Sequence, residues 1–147
     1  MYDAVLVGGM IDDNHGRVIS LYRLRTELEK HNYSAKVIDW AHSVNDREMI
    51  NLLGYVIDKQ TKILGISTSW WFHKHFQTPP WLTTNFFQMF RNTWPDIKIV
   101  IGASGPIIDN RVKLQADYWV TGFADRSLVA LLDYITGRIN EIGRAHV

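Results

Sequence analysis

Five short apolar runs, each followed by a stretch with helical periodicity, constrain this chain more than any other feature. The runs fall at residues 4–9, 34–40, 62–68, 97–102 and 118–120. Between them, Val18, Leu21, Leu24 and Leu28 recur at three- and four-residue spacing over residues 17–31. Met49, Leu52, Leu53 and Val56 do the same over 45–59. Residues 79–94 read as a third helix, with Pro80 suited to its first turn. Residues 106–114 have room for one short helix. The last unit is the most explicit. Tyr118-Trp-Val120 is aromatic and β-branched, as a buried strand prefers. Gly122 permits a turn closed to other residues. Asp125 and Ser127 are helix-start residues, Leu128, Leu131, Leu132 and Ile135 follow at helical spacing, and Gly137 stops the helix.

Strands that are apolar throughout and alternate with helices are buried on both faces, which means parallel βαβ units. The expectation is an α/β, flavodoxin-like (Rossmann-like) doubly wound domain over residues 1–137. Its five-stranded parallel sheet is expected in the order 2-1-3-4-5, with residues 138–147 as a tail. At 147 residues a single domain with a real core is expected.

Charge and composition narrow the function classes. The formal net charge of +1 favours neither nucleic acid nor an anionic membrane as a partner. With no cysteine, the chain holds no disulfide, cysteine nucleophile, thiolate zinc site or iron–sulfur ligand. That fits a reducing, cytoplasmic setting. No apolar run approaches the ~20 residues of a transmembrane helix. Asp3 and the Gly8-Gly9 pair interrupt any signal-peptide pattern.

In a doubly wound sheet the loops after the strands converge at one edge, and ligands bind there. The loop after the first strand contains Met10, Asp13, His15 and Gly16. It lacks both the dinucleotide fingerprint and the phosphate-loop pattern. A carboxylate beside an imidazole, as in Asp13-x-His15, fixes the ring tautomer and raises its basicity as a ligand; a solvated loop with Asp capping the next helix explains the same residues. Ser67, Thr68 and Ser69 end the third strand, either donating to a bound ring system or capping the strand. Gly102, Ala103, Ser104 and Gly105 end the fourth, either admitting a large flat ligand or forming a turn. Gly122 and Phe123 follow the fifth. A phosphate-receiver reading would need an acidic acceptor where Ser67-Thr68-Ser69 stands and a lysine where Thr121-Gly122 stands.

Four of the six tryptophans lie between residues 70 and 94. His73 and His75 there are two apart, unlike zinc spacing on a helix. An aromatic lid or interaction patch fits better. Base stacking lacks its basic stripe, since Lys74 and Arg91 are too few. No activated nucleophile or catalytic carboxylate pair stands out.

Three of these segments resemble the cobalamin-binding domain that precedes the radical S-adenosylmethionine barrel in many enzymes. The resemblance covers residues 3–137. The family's Asp-Tyr-Val-Val-x-Gly-Glu-Gly-Glu run is matched by Asp117-Tyr-Trp-Val-Thr-Gly122-Phe-Ala-Asp125. Its Val-Gly-Ile-Ser is matched by Leu64-Gly-Ile-Ser67, and its Gly-Gly-Pro turn by Gly102-Ala-Ser-Gly105-Pro106. The resemblance implies cobalamin as the cofactor, with a corrin on the carboxyl edge and a nucleotide tail threaded between the strand-end loops. It implies Met10, Asp13, His15, Gly16, Ser67, Thr68, Ser69, Gly102, Ala103, Ser104, Gly105, Gly122 and Phe123 as its contacts. The branch that ligates cobalt uses Asp-x-His-x-x-Gly. Here Gly16 follows His15 directly, and Phe123 replaces the first glutamate, so no protein metal ligand is assigned and His15 is the sole candidate.

Iron–sulfur and S-adenosylmethionine chemistry would then belong to a downstream catalytic barrel. The ending Ile142-Gly-Arg-Ala-His-Val147 reads like a translated sequencing adapter, so the natural chain is expected to continue differently beyond residue 141. The implied reaction class is methyl transfer or ring rearrangement by the parent enzyme. The alternative is a degenerate flavodoxin-like docking or regulatory domain that binds no corrin.

Overall fold

The computed structural model describes residues 1–8, 19–39, 41–68, 79–103 and 114–142, with Ala103 described by its backbone alone. Its strands are β1 (Ala4–Val7), β2 (Ala35–Ile38), β3 (Ile63–Ser67), β4 (Lys98–Ala103) and β5 (Tyr118–Thr121). Its helices are α1 (Ile19–Lys30), α2 (Asp46–Gly54), α3 (Thr84–Thr93) and α4 (Asp125–Ile135), with a 3₁₀ turn at Ala41–Ser43. All four strand pairings are parallel and the order is β2-β1-β3-β4-β5, as the alternation implies. The registers include Val7 opposite both Ile38 and Ile66, and Ser67 opposite Gly102.

Side-chain alternation divides the core into two layers. Val5, Val7, Leu64, Ile66, Ile99 and Ile101 face α2 and α3, meeting Met49, Leu53, Phe86, Phe87 and Phe90. Ala4, Leu6, Ile63, Val100 and Val120 face α1 and α4, meeting Leu21, Leu28, Leu128 and Leu132. Helices on both faces explain why the inner strands are apolar at every position.

Local chemistry moves several boundaries. The second helix ends at Gly54, short of the expected residue 59. Asp58 and Thr61 outcompete further helix: the Asp58 carboxylate accepts from the Gln60 N–H at 2.8 Å, and the Thr61 hydroxyl donates to the Tyr2 carbonyl at 2.8 Å. Its start matches expectation, because Asn45 and Glu48 form a reciprocal capping box. The third helix starts at Thr84, well after Pro80. Thr83 caps it by accepting from the Phe86 N–H at 3.0 Å, while the preceding turn buries Trp81 completely. β5 is an edge strand, so Tyr118 and Trp119 are half-buried and only Val120 is buried. The expectation of a buried fifth strand is corrected accordingly. α4 ends where expected, with Gly137 at φ +74° and the Arg138 N–H donating to the Asp133 carbonyl at 2.7 Å. The short helix expected at 106–114 lies outside the described residues, apart from Leu114 in a turn. Among the described residues, no helix is long and apolar enough to cross a membrane.

Candidate functional site

Because the sheet is parallel, Gly8, Ser67, Gly102 and Gly122 all lie at its carboxyl edge. The two-residue period adds a second relation. Each is two positions beyond a residue on the α1/α4 face: Leu6, Gly65, Val100 and Val120, respectively. A small residue therefore ends each of these strands on the same face. Between that face and the two helices lies a cavity of about 340 Å³. Its volume falls within the roughly 300–1,000 Å³ typical of small-molecule pockets.

The floor of the cavity is Leu6, Gly65, Val100, Gly102 and Val120, and its walls include Leu21 and Leu24 of α1 and Leu128 of α4. Ile19 and Phe123, 79% and 87% exposed, mark its rim. Polar groups are few: Ser20, Ser67, Arg23 and Asp125. Arg23 Nε lies 3.0 Å from Asp125 Oδ1, linking the two helices that form the walls.

Two glycines keep this space open. A Cβ on Gly65 would approach Leu6 Cδ2 at 2.8 Å, so a side chain there would disturb the floor. A Cβ on Gly102 meets nothing closer than the Ile66 carbonyl at 4.0 Å, so a side chain there is accommodated by filling the cavity. Gly122 adopts φ +77°, the left-handed conformation that turns the chain from β5 toward α4.

The sequence-derived residues divide into three groups. Ser67, Gly102, Gly122 and Phe123 line the cavity together. Thr68 is buried, does not line it, and has its hydroxyl 3.0 Å from the Gly102 carbonyl, which ties β3 to β4. Ala103 continues β4 into pairing with Thr121. Met10, Asp13, His15, Gly16, Ser69, Ser104 and Gly105 lie outside the described residues. Gly65, Leu24, Arg23 and Asp125 also line the cavity and are not among the candidate site residues of the sequence. Gly65 could have been found, since a glycine inside an apolar strand signals close approach or open space. Asp125 was read as a helix-start residue; no side-chain cap bond is made there, and its partner Arg23 is a hundred residues away in the chain. Among the described residues, no group of three His, Asp or Glu side chains is placed to hold a metal ion.

No family model matches the chain, and no curated protein matches it. Solved structures do. The radical S-adenosylmethionine methyltransferase TsrM from Kitasatospora setae superposes with TM-score 0.58 at 19% identity, over 92% of this chain and 26% of its own. The chain thus spans about a quarter of that enzyme. A signal receiver domain of an HD domain-containing protein from Pseudomonas fluorescens Pf-5 superposes with TM-score 0.55 at 10% identity, over 94% of this chain and 97% of its own. A CheY-like response regulator receiver domain from Methanospirillum hungatei JF-1 gives 0.55 at 13%, over 95% and 100%. At these identities the likeness establishes the flavodoxin-like fold, which the strand order shows independently.

Proposed function

We propose that this domain binds cobalamin, with the nucleotide tail in the cavity between the sheet and helices α1 and α4. The observation that carries the reading is the apolar cavity at the carboxyl edge, kept open on one face by Gly65 and Gly102. A planar aromatic base needs such a space: apolar walls for its faces and little side chain on the floor. When bound, the corrin supplies a cobalt centre for methyl transfer or rearrangement. The residues of this chain hold it: Ser67 and the rim residues Ile19 and Phe123 bound the entrance. No protein group is assigned to cobalt, so His15→Ala should leave the cobalt spectrum unchanged.

TsrM, whose similar domain is part of a longer radical S-adenosylmethionine methyltransferase, supports a parent protein of that general plan. In such a parent a downstream barrel would carry the cluster and S-adenosylmethionine. Resequencing the source locus tests this. A cysteine triad encoded downstream supports it, and an independently sequenced stop after Val147 counts against it.

A second reading has its own observation: the receiver domains match over nearly their entire length. Ser67 and Thr68 occupy the β3 end where a receiver carries its phosphoacceptor aspartate, and Gly122 follows β5 where it carries lysine. This reading is therefore a docking domain without phosphoryl transfer. Calorimetric titration with hydroxocobalamin separates the two.

A further inference from the structure

A second space adjoins the cavity. It is a groove of about 710 Å³ on the outer side of α1 and α4. Arg23, Phe123 and Asp125 line both spaces. The 3.0 Å ion pair and the exposed Phe123 ring therefore form the partition between them. The two compartments differ in chemistry. The inner one is mostly apolar. The outer one carries three cations, Arg23, Lys30 and Arg126, against two acids, Glu27 and Asp125.

Most of these charges are already matched. Lys30 Nζ lies 3.2 Å from Glu27 Oε2, and Arg23 pairs with Asp125. Arg126 is exposed and has no ion pair among the described residues. The groove thus holds one excess positive charge beside the partition. An aromatic ring at the partition adds a face on which a planar group can lie.

We propose that cavity and groove form one two-compartment site for an amphipathic anion. The ligand class is a flat apolar body, seated between the sheet and the helices, joined to an anionic group held in the groove by Arg126. The inference deepens the reading given under Proposed function, since a nucleotide tail joins an aromatic base to a phosphodiester. It does not depend on the corrin.

The test uses two probes on the full chain. 8-Anilinonaphthalene-1-sulfonate has an aromatic body and one anionic group. N-Phenyl-1-naphthylamine has the same body without the charge. Both should bind with methyl NMR shifts at Leu6, Val100 and Leu128. The sulfonate should bind about tenfold more tightly, the worth of one charge-assisted contact. Arg126→Gln should abolish that difference and leave the neutral probe's affinity unchanged, while Arg126→Lys should retain most of it. Arg126 is exposed, so the fold should survive either change. Equal loss for both probes, no loss for either, or shifts confined to other methyl groups would overturn the proposal. Discrimination between the probes without hydroxocobalamin uptake supports this inference and counts against corrin binding. Hydroxocobalamin uptake without discrimination overturns this inference alone.

Discussion

Arg23 of α1 and Asp125 of α4 meet at 3.0 Å, tying together the two helices that wall the cavity. The helices also share a buried layer, with Leu21 and Leu28 from one and Leu128, Leu131 and Leu132 from the other. Packing, not charge, dominates their attachment. The Arg23 side chain is 66% exposed, and ion pairs in such settings contribute about 0–1 kcal/mol. Arg23→Gln should lower unfolding free energy by less than about 1 kcal/mol, read from urea denaturation. A larger loss would mean that the pair, and not the leucine layer, holds the helices.

Thr83 carries more weight for its size. Its hydroxyl oxygen accepts from the Phe86 N–H at 3.0 Å and lies 3.2 Å from Asp46 Oδ2, so one group starts α3 and joins it to α2. Thr83→Ala should cost about 1 kcal/mol, the usual loss for an N-cap. Thr83→Ser should recover most of it. Equal stability of the alanine variant and the unmodified chain would remove the cap from the account.

Asp3 links folding to pH. Partial burial raises its pKa, but hydrogen bonds from the Ser34 N–H and hydroxyl, each at 2.7 Å, and from Gln60 outweigh burial, and the net shift is below the ordinary 3.8. A depressed folded-state pKa means that its stabilisation is complete above the unfolded value. That stabilisation is lost as pH falls through the folded value. Between about pH 5 and pH 2, Asp3→Asn should therefore lose less stability than the unmodified chain. Parallel pH–stability curves for the two proteins would contradict the assignment.

The fold was legible because its cause is local and repeated. Runs such as Ile63–Ser67 admit one environment, a strand covered on both faces, and five of them spaced by helices leave few topologies. Errors arose where distant partners intervened. Thr61 ends the helical region early through Tyr2, and Trp81 is buried before α3 begins. β5 is half-exposed because nothing pairs with its outer side among the described strands. That Ser67, Gly102, Gly122 and Phe123 would meet at one sheet edge was legible in the order of strands and loops, and they line one cavity. Its depth was not, because that depends on Gly65 sharing a face with Leu6 and Val100. The ion pair at its edge joins residues with no sequence pattern between them.

Gly102 offers the most direct test of cobalamin binding. It lines the cavity, and its absent Cβ has open space around it, so Gly102→Leu fills the site with little strain. Hydroxocobalamin should bind the unmodified chain with a Kd of about 1 μM or tighter, by calorimetry and visible absorbance. Gly102→Leu should weaken binding at least about tenfold, with the unfolding free energy within about 1 kcal/mol of the unmodified chain. No response of the unmodified chain at high ligand concentration, or equal affinity in a well-folded Gly102→Leu variant, would contradict the account.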